Sequence, residues 1–157
     1  MRNSIVLTLL WVALIGTGCS TLSQNQSQYQ VLGPAKERGP RAAVSSADRE
    51  AVKQVVYALA GEWRLRDRTA SSFNPNVIAE FSQDWDETAY PVRLVAFEQN
   101  GKIVVDMTQE TPGVGESYQF RARKEQLLTA LREKFGDRAV TPPLSEYVRH
   151  VKGPAEP

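Results

Sequence analysis

Of the residues that most often act as nucleophiles, bases or zinc ligands, this chain of 157 residues has one histidine, His150, and one cysteine, Cys19. His150 lies between Arg149 and Val151 in a weakly patterned C-terminal stretch. A Ser-His-acid triad or a Cys-His pair would have to recruit it from there, and a solvated surface histidine is the simpler reading. Tetrahedral zinc sites draw on several Cys and His side chains at once, so no metal is expected. No cofactor is expected either. Gly113-Val114-Gly115 lacks the third glycine and the strand-to-helix setting of a dinucleotide site, and reads as a turn.

Carboxylates are densest at Glu80, Asp84, Asp86 and Glu87. Two such acids could serve as general acid and base, or as hard ligands for calcium. The run has neither the twelve-residue ligand spacing nor the central glycine of an EF-hand loop, and reads first as a solvated acidic loop. Trp85 stands inside it, either as a contact residue for a partner or folded back onto a sheet. Arg64, Arg66 and Arg68, with Arg49, form a local basic group. It suits a phosphate or an acidic partner, or ordinary pairing with nearby acids.

These residues need elements to position them. Ser45-Ser46-Ala47-Asp48 places a hydroxyl three residues ahead of a carboxylate, the pattern of a helix start. Val52, Val55, Val56, Leu59 and Trp63 follow at helical spacing and predict a helix over 47–60. Val77 to Phe81 reads as a short strand. Val92 to Glu98 and Lys102 to Thr108 are two strands across Gln99-Asn100-Gly101, and Asn-Gly between apolar runs is a hairpin signal. Ser117 to Arg123 alternates like a further strand, and Leu127, Leu128, Leu131 and Phe135 define a second helix stopped by Gly136. Residues 46–137 are therefore expected to form an α+β domain, an antiparallel sheet of three to four strands packed with an N-terminal and a C-terminal helix. Residues 138–157, with Pro142-Pro143 and a Gly-Pro-Ala-Glu-Pro end, read as a loosely ordered tail.

The N-terminus carries a different kind of information. Arg2 precedes Ile5 to Ile15, a run apolar except for Thr8. That is the length of a signal-peptide apolar region and short of the ~20 residues of a comfortable membrane span. Gly16, Thr17 and Gly18 then lead to Cys19. The order resembles a bacterial lipoprotein signal, with Gly16 in the place that usually holds Leu. The resemblance implies removal of residues 1–18 as a lipoprotein signal peptide and acylation of Cys19. Ser20 after the cysteine resembles the outer-membrane sorting default, which implies a lipid-anchored protein on the periplasmic face of the outer membrane. Residues 19–45 alternate Gln at 24, 26, 28 and 30, contain two Gly-Pro pairs and offer few large apolar side chains. They read as a flexible tether with a reach of about 30 Å. Without Arg2 the mature part has 18 acidic and 18 basic residues and is formally neutral. Such a balance gives no support to nucleic-acid binding, and membrane attachment would rest on the acyl chains.

Glu50 to Asp67 is similar to the first helix of NTF2-like α+β domains, in which an apolar helix carries a Trp and an Asp a few residues on. Trp63 and Asp67 take those places, which implies a small-ligand pocket that they contact. With no catalytic constellation in view, the leading expectation is a non-enzymatic envelope lipoprotein, a periplasm-facing binding or assembly module with an envelope protein as partner. An NTF2-like ligand-binding domain and a carboxylate-dependent hydrolase are the alternatives. The candidate residues are Cys19 for lipidation and Trp63, Asp67 and Trp85 for partner or ligand contact. Protein extracted from bacterial membranes is expected to begin at Cys19 and to carry acyl mass there. Intact-mass spectrometry checks this, and an unmodified Cys19 thiol would refute it.

Overall fold

The computed structural model describes residues 23–33, 45–84, 88, 90–113 and 115–148. The expected signal peptide, Cys19, Trp85, Asp86, Glu87 and His150 lie outside the described residues. Along the chain run β1 (Ser23–Leu32), α1 (Ser46–Glu62), β2 (Arg66–Asp67), β3 (Val77–Ser82), β4 (Val92–Gln99), β5 (Lys102–Thr111), α2 (Tyr118–Phe135) and β6 (Ala139–Val140).

Local chemistry accounts for the start and stop of most elements. The Ser45 hydroxyl accepts the Asp48 amide at 3.1 Å and caps α1. The Ser117 hydroxyl does the same for Phe120 at the start of α2. The buried Gln109 side chain of β5 holds Ser117 itself, accepting its amide at 3.1 Å and donating to its hydroxyl at 2.8 Å. Gly136 ends α2 at φ 58°, a conformation that glycine reaches without strain. Between β4 and β5, Asn100 and Gly101 both have positive φ, 51° and 71°, as a two-residue type I′ turn requires.

The strands form one antiparallel sheet in the order β2-β3-β4-β5-β1-β6. Both helices pack on one of its faces. Val52, Val56 and Leu59 of α1 and Phe120, Leu127 and Leu131 of α2 share a buried cluster with Phe81, Leu94, Ile103, Val105 and Met107 of the sheet. Tyr29 and Val31 of β1 belong to the same cluster. On the other face Val95, Phe97 and Val104 form a smaller apolar cluster with Val77 and Val148.

The α+β class, the antiparallel sheet and the two helices are as expected, but the sheet has six strands rather than three to four. The largest correction concerns the expected tether. Ser23–Leu32 is a ten-residue strand between β5 and β6, not a flexible leash. Its glutamines occupy alternate positions because a strand has a period of two, so Gln26, Gln28 and Gln30 share one face while Tyr29 and Val31 enter the core on the other. Ser117 to Arg123 is the cap and first turns of α2 rather than a strand. The expected loose tail is engaged as far as it is described. Ala139–Val140 pairs with β1, and the Val148 amide donates to the Gln28 carboxamide at 2.8 Å while that carboxamide donates back to the Val148 carbonyl.

A chain that begins at Ser45 would strip β5 of its ten-residue partner and remove Tyr29 and Val31 from the core. It is expected to show no cooperative unfolding transition by circular dichroism. Phe120→Ala in the complete chain is expected to fold with a loss of about 3–5 kcal/mol, measured by denaturant titration.

Candidate functional site

The face of the sheet turned away from the helices carries polar and charged residues in register. One row across it is Glu80, Val95, Asp106 and Gln28, and the next is Ser82, Arg93, Thr108 and Gln26. Alternation within β3, β4, β5 and β1 puts all of them on the same side. Glu80 is 0% exposed. The Arg93 guanidinium donates to Glu80 Oε1 through Nε at 3.2 Å and lies 3.1 Å away through its terminal nitrogen. The ion pair supplies the compensation that a buried carboxylate needs.

Asp106 is 5% exposed and accepts from Gln26 Nε2 at 3.0 Å. Burial pushes its carboxyl up to about 6 from 3.8, against hydrogen bonds from Gln26 and Gln28 and the nearby Arg93 charge, which pull it down. Gln28 thus serves both Asp106 and the Val148 backbone.

Where these rows reach the end of β3, the start of β4 and the end of β5, a cleft of about 320 Å³ opens between Ser82, Gln83, Asp84, Pro91, Arg93, Thr108 and Glu110. Asp84 on its rim receives Arg66 at 3.1 Å and Arg68 at 2.7 Å. Around the same end of the sheet runs a second groove of about 540 Å³, lined by Thr111, Pro112, Gly113, Gly115, Tyr90 and Tyr118 among others. Chemically the cleft offers hydroxyls, one guanidinium and two carboxylates within a small volume, an arrangement able to orient a polar group by hydrogen bonds. Among the described residues no group of three or more His, Cys, Asp or Glu side chains could hold a metal ion. Also among them, no helix is long and apolar enough to cross a membrane.

Of the contact residues singled out from the sequence, the two described, Trp63 and Asp67, line neither the cleft nor the groove. Trp63 is buried where the two helices meet, its indole nitrogen donating to Gln126 Oε1 at 2.8 Å and its ring covered by Arg123 at 5.5 Å. Asp67 sits on the edge strand β2 and accepts from the Tyr57 hydroxyl at 2.9 Å and the Thr69 amide at 2.8 Å. Burial tends to raise its carboxyl, but the Thr69 and Tyr57 hydrogen bonds outweigh it and hold the group below the usual 3.8. Of the acidic group, Glu80 and Asp84 are described, and each is engaged by arginine rather than facing the other as an acid-base pair. The basic group divides likewise, Arg49 pairing with Glu98 at 2.8 Å while Arg66 and Arg68 converge on Asp84.

Sequence reasoning passed over Arg93, Asp106 and the β1 glutamines. The available signal was a charged residue inside an otherwise apolar strand, as in Val92-Arg93-Leu94 and Val104-Val105-Asp106-Met107. Such a residue must find a partner or a function. Comparison with family models, curated proteins and solved structures found no match to this chain.

The raised Asp106 means that the folded chain binds this proton more tightly than the unfolded chain. Between about pH 4 and pH 6 the folded state holds more protons, so stability falls as pH rises through that window and stays lower above it. Asp106→Asn is expected to raise stability near pH 7.5 by up to about 3 kcal/mol and to flatten the dependence. Urea titrations near pH 4.5 and pH 7.5 check this, and an unchanged slope in the variant would refute it.

Proposed function

We propose that the chain is a non-enzymatic module of the bacterial cell envelope, anchored through acylated Cys19 on the periplasmic face of the outer membrane, that binds an envelope partner at the polar cleft. The observation that carries the binding reading is the cleft itself, where the charged rows of the sheet emerge between Asp84, Arg93, Thr108 and Glu110. Arg93 in its lining pairs with the buried Glu80 beneath, and Asp84 pairs with Arg66 and Arg68. Paired charges at fixed positions recognise and orient, whereas a general acid-base pair needs a carboxyl free to exchange its proton with a substrate. The lipid anchor is supported by the order of residues from Arg2 to Cys19.

The reading is tested in living envelopes with a photo-crosslinking residue in place of Thr108, and with the same residue in place of Glu133 on the exposed side of α2 as control. A discrete crosslinked partner is expected from the cleft position and not from α2. Thr108→Tyr, which fills the cleft, is expected to lower capture by a crosslinker in place of Gln83 about ten-fold. Equal crosslinking from the cleft and from α2 would count against the cleft as the binding site.

A further inference from the structure

The short distance between Cys19 and the first strand has a consequence for the groove beside the cleft. β1 begins at Ser23, and Ser23 is the ladder partner of Thr111, which lines that groove. Asn25 Nδ2 also donates to the Gly115 carbonyl at 2.8 Å, so β1 is fastened to the groove lining as well as to β5. Four residues of chain span at most about 14 Å. An acylated cysteine sits at the headgroup layer, so this end of the sheet must lie at the membrane surface, whereas the Asn100-Gly101 turn lies a strand length of about 30 Å away.

The side chains at this end suit that position. Tyr118 is 81% exposed and Tyr90 is 44% exposed, and both line the groove. Tyrosine has an apolar body and a polar tip and is favoured where apolar and wet regions meet. The neighbouring charges, Glu116 and Lys124, neutralise each other at 2.7 Å. Of the other exposed rings among the described residues, Tyr57 lies on α1, bonded to Asp67, and Phe73 precedes β3 and so belongs to the opposite end of the sheet.

We infer that the groove lined by Tyr90 and Tyr118 is a membrane-contact surface, on which the domain rests against the lipid headgroups with both tyrosine rings set among them. The inference rests on the lipid-anchor reading and adds to it a second attachment, made by the folded domain. Because Glu116, the one charged side chain in the groove's lining, is paired with Lys124, the contact draws on the tyrosine rings rather than on anionic lipid and depends little on salt.

The test is hydrogen exchange on the natural acylated chain, reconstituted in vesicles of phosphatidylethanolamine with a minority of phosphatidylglycerol. The Cys19→Ser chain with the same vesicles is the reference. Backbone amides around Tyr90 and across 111–118 are expected to exchange about ten-fold more slowly in the anchored chain, at low and high salt alike, while those around Phe73 are unchanged. Replacing both Tyr90 and Tyr118 with Ser, at exposed positions where folding is little affected, is expected to abolish the protection and leave the anchor in place. Protection absent from the acylated chain, located around Phe73, or retained in the Tyr90→Ser and Tyr118→Ser double variant would overturn the contact and leave the anchor reading intact. An unacylated Cys19 by mass would remove both together.

Discussion

The pairing of β1 with β5 is the interaction on which the rest of the molecule depends. Its ten-residue register runs from Ser23 opposite Thr111 to Leu32 opposite Lys102. On one side it carries Tyr29 and Val31 under the helices, completing the floor on which α1 and α2 rest. On the other it sets Gln26 and Gln28 beside Asp106 and fixes the Val148 backbone over the second apolar cluster. It also gives β6 a strand to pair with, at Gln30 and Val31.

The two faces of this sheet are built on different principles. The helix side is an ordinary apolar core held by burial. The far side buries charge, and its stability rests on pairs such as Glu80 with Arg93 and Asp106 with Gln26. Removing Arg93, whose side chain is partly exposed, would leave the fully buried Glu80 uncompensated in low dielectric, at a cost of up to about 3–5 kcal/mol. An apolar replacement of both could fold as well. A charged row is therefore not the simplest way to stabilise a sheet.

What the sequence disclosed follows from how local each determinant is. The β4–β5 hairpin was legible because Asn100-Gly101 dictates its own turn. The centre of each helix was legible because its apolar face repeats at helical spacing. β1 was misread because its period of two is written mostly in glutamine, and its burial depends on β5 some eighty residues away. The start of α2 was misread because Tyr118, Phe120 and Ala122 alternate, although Ser117 caps the helix and Phe120, Leu127 and Leu131 share its buried side. β2 and β6 are two residues long and leave no pattern. The cleft assembles ends of β3, β4 and β5, so no contiguous motif marks it. Trp63 drew attention as a large aromatic, yet its indole nitrogen and ring face are both taken by α2.

The placement of the first strand also governs when the domain can exist at all. β1 leaves the ribosome before any other element described, but its ladder partners come late, with Val31 opposite Ala139 and Asn25 bonded to Gly115, 90 residues further on. At synthesis rates of 5–20 residues per second, roughly 5–20 s pass between the appearance of β1 and that of β6. Through that interval the sheet lacks a side and the helices lack part of their floor, so the nascent polypeptide stays threadable. The strand order alone, with the first and last strands adjacent in the sheet, sets this delay.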